Sequence, residues 1–178
     1  MSIIKDSLNE IIGNCHRLLE VNERDIERAC NFILSAQNIF VYGVGRSGII
    51  GRAFAMRLAQ LGLKAYIVGE TITPVVSNKD VVILISGTGE SQGALLVEQI
   101  SKRVDAKVVS ITASPNSSMA RNSDLTIHIP ANKSSNLAPL GTLFEISALM
   151  LLDAMIALLM HLKGETEEDL RRRHAIWL

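Results

Sequence analysis

Ile39-Phe40-Val41-Tyr42, followed at once by Gly43-Val44-Gly45-Arg46-Ser47-Gly48, is the stretch on which the reading of this chain turns. The arrangement returns at Val81-Val82-Ile83-Leu84-Ile85, which runs into Ser86-Gly87-Thr88-Gly89-Glu90-Ser91. Each is a short apolar run, then a loop of small and hydroxylated residues, then a helical pattern, Ile49 to Leu61 in the first case and Gln92 to Lys102 in the second. A helix start carries unpaired N–H groups and a partial positive charge, so small residues there let an anion approach the backbone. Two such loops point to phosphate, bound at one shared site.

Working outward, Ala65 to Val68, Val108 to Ile111 and Leu125 to Ile129 read as further buried strands, with a short helical pattern at Ser117 to Asn122. Apolar strands alternating with helices predict an α/β fold: a five-stranded parallel sheet covered on both faces, three layers in all. With the strand order 2-1-3-4-5 of the flavodoxin-like topology, strands one and three are neighbours and their helices leave on opposite faces, so the two loops flank one crevice. Ile3 to Ala36 predicts two N-terminal helices broken near Asn22. A polar connector, Ala131 to Asn136, precedes Pro139 and a long helix from Gly141 to Lys163. A charged tail helix, Glu165 to His174, leads into Ala175-Ile176-Trp177-Leu178. We expect residues 1–178 to form one domain: a helical segment at 1–38, the sheet core with its long helix at 39–163, and the tail at 164–178.

Composition narrows the function. Hydrophobic residues are 48% of the 178 and charged residues 20%, which excludes disorder. Eighteen basic side chains balance eighteen acidic ones, and aromatics are 4%. Neither a basic field nor stacking platforms for nucleic acid are present, so no nucleic-acid partner is expected. Cys15 and Cys30 make no CxxC pair, and Met1 to Asp6 lacks the pattern of a secretory signal. Both features predict a cytoplasmic protein with reduced thiols. Ile146 to Met160 mimics a membrane span, but Glu145, Asp153 and His161 break the run; a buried core or interface helix is expected, and no membrane partner.

The first loop also fits GxGxxG, with Glu70 where a dinucleotide fold places its ribose-binding acid. Against that reading stand the Arg46 and Ser47 side chains, the unexplained second loop and the shortness of the remaining chain. A nucleotide-hydrolysing GxxxxGK loop is absent. A single phosphate held by helix-start N–H groups with the hydroxyls of Ser47, Ser86, Thr88 and Ser91 accounts for both loops together.

At these residues the chain resembles the sugar isomerase, or SIS, domain family, whose second loop commonly reads Ser-x-Ser-Gly-x-Ser/Thr, with Thr88 here at the third place. Tyr42 to Gly48, Val68-Gly69-Glu70-Thr71-Ile72-Thr73-Pro74, Gly141-Thr142-Leu143-Phe144-Glu145 and Arg173-His174 narrow the resemblance to the 6-phospho-3-hexuloisomerases, over nearly the whole chain. The ending Ala175 to Leu178 departs slightly from their tails. The resemblance implies interconversion of a 3-hexulose 6-phosphate and fructose 6-phosphate, in formaldehyde assimilation or in pentose supply, with no metal or organic cofactor. It also implies a homo-oligomer, a tetramer assembled from dimers. A non-catalytic sugar-phosphate sensor, or an isomerase for another phosphorylated sugar, is the alternative.

Moving a proton between carbons 2 and 3 needs a base above that edge and a relay for hydroxyl protons, tasks that suit a carboxylate and an imidazole. Glu145, at the start of the long helix, reads by sequence alone as a first-turn acid favoured by the helix dipole, and the resemblance makes it the candidate base. His174 is the candidate relay, or the group that assists ring opening, and the resemblance has it reaching a neighbouring subunit's site; by sequence alone it is a solvated tail histidine beside Arg171, Arg172 and Arg173. The substrate-binding set is Arg46, Ser47, Ser86, Gly87, Thr88, Gly89, Glu90 and Ser91. Arg46 either steers the phosphate or pairs with an acid such as Glu70. Glu90 would repel a dianion unless turned outward, to solvent, a cation or sugar hydroxyls. His16, His128 and His161 read as structural, without metal-ligand spacing.

Overall fold

The computed structural model describes residues 2–174. Five strands, β1 (Ile39–Gly43), β2 (Ala65–Ile67), β3 (Val81–Ile85), β4 (Lys107–Thr112) and β5 (Leu125–His128), form one all-parallel sheet in the order β2-β1-β3-β4-β5. Valine and isoleucine dominate the central strands, and every residue of β3 is buried, as a sheet covered on both faces requires. Side chains alternate across the strands. Val41, Ile83, Ile85 and Val109 pack with Phe54 and Leu58 of α3 (Arg46–Gln60), Ile33 of α2 (Glu23–Ser35) and Leu152 and Met155 of α6 (Thr142–Lys163). Phe40, Val82, Leu84 and Val108 face the other way, onto Ala94 of α4 (Gln92–Arg103) and Met119 of α5 (Ser118–Asn122).

The N-terminal region is α1 (Ile3–His16), a 3-10 turn (Arg17–Glu20) and then α2, begun where the Asn22 side chain accepts from the Arg24 N–H. α3 stops at Gly62, whose φ of 76° suits glycine. α6 is long and apolar enough to cross a membrane by length and composition, yet half of its apolar window is buried inside the fold, against α1, α2 and α3. It serves as the core helix of its layer. The tail helix α7 (Glu167–Arg172) is shorter than its sequence pattern, and Ala175, Ile176, Trp177 and Leu178 lie outside the described residues.

Candidate active site

In the parallel register of β1 and β3, Gly43 stands opposite Ile85, so the two glycine-rich loops leave the same sheet edge side by side. β1 turns into α3 so tightly that a Cβ on Gly43 would lie 2.8 Å from the Ser47 backbone, and one on Gly48 2.6 Å from the Gly43 carbonyl oxygen. Only glycine permits that approach, and it sets the start of α3 directly above the strand end. The helices that follow the two loops begin without a side-chain cap, at Gly45 for α3 and Ser91 for α4, as do α6 at Gly141 and, away from the crevice, α1 at Ser2. By contrast α2, α5 and α7 are each closed by a side-chain oxygen, from Asn22, Ser117 and Thr166. First-turn N–H groups of α3 and α4 are thus left for an incoming acceptor.

Hydroxyls surround those groups. Ser47 is 9% exposed and bonds no protein acceptor among the described residues. Ser86 Oγ accepts from the Gly89 N–H (3.1 Å) and Thr88 Oγ1 from the Glu90 N–H (3.3 Å), so their oxygens shape the loop while their protons remain available to donate. Gly87 and Gly89 are structural keys. The Gly87 carbonyl accepts from the hydroxyls of Thr112 and Ser114, both at 3.2 Å, and a Cβ on Gly89, at φ 65°, would sit 2.0 Å from Ser117 Oγ. Glu90 is turned outward: its carboxylate accepts from the Ser118 N–H at the start of α5 (2.8 Å), and that bond, with the Ser118 hydroxyl and the charge of Arg121, holds its pKa below the ordinary value despite some desolvation. It braces the loop to α5.

α6 brings the third component. The Phe144 ring lies 3.1 Å from where a Gly87 Cβ would be, so the bare loop lets the first turn of α6 settle against it. The next residue is Glu145, 13% exposed, with its carboxylate folded back over Gly141. Arg46 does not pair with Glu70, as one sequence expectation had it; Glu70 pairs with Arg52. The guanidinium of Arg46 lies instead 3.1 Å from Glu145 Oε2 and 3.4 Å from Thr142 Oγ1. Oε2 is closed to solvent and accepts no hydrogen bond, so the oblique ion pair with Arg46 is its compensation. Arg46, the two loops and Glu145 therefore meet in one place.

His174 does not join them within the chain. Arg173 beside it donates to the Gln60 carbonyl (3.2 Å), at the end of α3 opposite Arg46, and α3 is roughly 20 Å long. His16, His128 and His161 are surface residues, and among the described residues no three His, Cys, Asp or Glu side chains gather as a metal site. Sequence reasoning gave no separate role to Gly141, Thr142 or Phe144, although their place within one helical turn of Glu145 was a signal.

The SIS domain pattern matches residues 32–158, a span holding both loops and Glu145. The chain belongs to the SIS domain family. The 3-hexulose-6-phosphate isomerase of Methanocaldococcus jannaschii is 43% identical over 142 residues, covering 80% of this chain and 78% of that protein. The 3-hexulose-6-phosphate isomerase of Bacillus subtilis is 34% identical over 174 residues, covering 93% of this chain and 94% of that protein. The crystal structure of MJ1247 from Methanococcus jannaschii, from which a 3-hexulose-6-phosphate isomerase function was inferred, superimposes with a TM-score of 0.91 at 36% identity, covering 97% of this chain and 99% of the other. These likenesses support a sugar-phosphate isomerase, and the strand order is not that of the classical dinucleotide fold.

Proposed function

We propose that this SIS protein interconverts D-arabino-hex-3-ulose 6-phosphate and fructose 6-phosphate. The observation that carries the reading is the meeting of two uncapped helix starts with one largely buried carboxylate, Glu145. The phosphate sits on the 86–91 loop and the α4 N–H groups, assisted by Ser47, which leaves carbons 2 and 3 toward α6. Glu145 takes the proton from carbon 2; the carbon–hydrogen electrons form the double bond to carbon 3, and the carbonyl oxygen there is protonated, giving an enediol. Return of the proton to carbon 3 and loss of the hydroxyl proton at carbon 2 completes the ketose. His174 of the partner subunit relays the hydroxyl protons in an oligomer, a tetramer built as a dimer of dimers, since within one chain it lies at the far end of α3. The reading needs no cofactor, and the cell compartment that goes with it is the cytoplasm.

Incubation with the 3-hexulose 6-phosphate should yield fructose 6-phosphate, detected by a coupled assay. Glu145→Gln should lower kcat by about 10² to 10⁴-fold, the usual contribution of a positioned acid or base, without unfolding the protein. Turnover of a different sugar phosphate alone would replace the substrate, and full activity of the glutamine variant would remove Glu145 from the mechanism.

A further inference from the structure

The connector that delivers the chain into α6 is tied along its length to α1 and to the start of the 3-10 turn after it. Ser7 Oγ donates to the Leu137 carbonyl (2.6 Å), Ser135 Oγ to Glu10 Oε1 (2.7 Å), and Arg17 reaches Asn132 Oδ1. Within this seam lies Asn14, a carboxamide only 2% exposed. Its Nδ2 donates to Ser147 Oγ (3.1 Å) and to the Leu143 carbonyl (3.4 Å), while Oδ1 accepts from the Asn132 N–H (2.9 Å). Leu143 and Ser147 stand two residues before and two residues after Glu145. One side chain therefore grips the connector and both flanks of the proposed base.

The chemistry of the group is specific. A buried amide is tolerated where its donors and acceptor are all engaged, and loss of one partner strands the other without water to replace it. Aspartate would turn an acceptor toward the Leu143 carbonyl and bury a charge, and leucine would orphan the Asn132 N–H. We infer that Asn14 is a positioning residue for Glu145: its carboxamide fixes the first turn of α6 and so the placement of the carboxylate beside Arg46 and the 86–91 loop. The inference rests on Glu145 acting as the base. It concerns a residue on a different element, with no contact to the crevice.

Asn14→Ala and Ser147→Ala test it, assayed per folded enzyme as measured by circular dichroism. A misplacement of about 1 Å costs on the order of 10²-fold in rate, so kcat of Asn14→Ala should fall by roughly 10- to 100-fold with KM within about twofold, because the phosphate loops are untouched. Ser147→Ala, which removes one of the three bonds, should shift kcat the same way by a smaller factor, and it decides the matter if Asn14→Ala does not fold. Hydrogen–deuterium exchange supplies a readout independent of turnover: residues 131–147 should exchange faster in the variants and residues 86–95 should not. A kcat close to that of the unsubstituted protein, a loss of protection over 86–95 as large as that over 131–147, or unchanged exchange over 142–147 would each overturn the assignment. Absence of isomerase activity in the unsubstituted protein would sink the functional reading, and the exchange data would still judge the anchoring.

Discussion

Burial means different things at Ser47 and at Glu98. Ser47 is buried with its hydroxyl uncommitted, so nothing in the fold is lost when that oxygen is removed. A hydrogen bond to a charged group contributes about 1.5–3 kcal/mol, so Ser47→Ala should raise KM for the sugar phosphate by about tenfold or more while the urea midpoint stays put. Steady-state kinetics beside a denaturation curve check both halves. Glu98 of α4 is 2% exposed, and burial pushes its carboxyl above the ordinary 4.5, an effect only partly offset by the Ser123 hydroxyl, which donates to it at 3.0 Å, and by Asn122 and Lys102. A carboxyl raised in this way favours the fold while protonated, below pH 4.5, and that contribution is lost as pH climbs through its folded pKa. Glu98→Gln, neutral throughout and still able to accept from Ser123, should be more stable than the natural chain at pH 7 and no more stable near pH 4, as urea unfolding at the two values would show.

At the scale of elements, the sequence was legible where period and punctuation agree. The strand of residues 81–85 was read to the residue, and the Asn22 break and the Gly62 stop were both visible in advance. The candidate site was legible up to its parts: two loops and an acid at a helix start, which the fold brings together. What the sequence withheld was pairing across elements. Nothing local distinguishes Glu145 from Glu70 as the partner of Arg46, because that choice is made by α6 settling on Gly87 through Phe144, far along the chain from any short-range pattern. Asn14 was invisible for the same reason, being a polar residue in an amphipathic pattern whose three partners lie more than a hundred positions on. The short α5 illustrates how such contacts reach the site: Ser117 caps it by accepting from the Ala120 N–H (3.3 Å) and packs against Gly89. Ser117→Ala should cost about 1 kcal/mol, read from urea unfolding, within the range for lost N-caps.

Over the whole molecule, apolar surface exceeds what one chain covers. Ile4, Leu8 and Ile12 of α1 are more than half exposed, and Ile12, Leu19 and Met150 border a groove of about 590 Å³ between α1, the 3-10 turn and α6. The shared site proposed above would have a second copy of the chain occupy it. Light scattering should report an assembly larger than 19.4 kDa, and Ile12→Glu should reduce its mass. A monomer in the natural sequence would remove the shared-site role given to His174.

The outermost strands bear on how the sheet meets other chains. β2 offers three residues and β5 four, stubs too brief to template a foreign strand. Ribbon-like growth through the sheet is thereby disfavoured, and the mouth above the strand tips is kept clear for traffic in solutes.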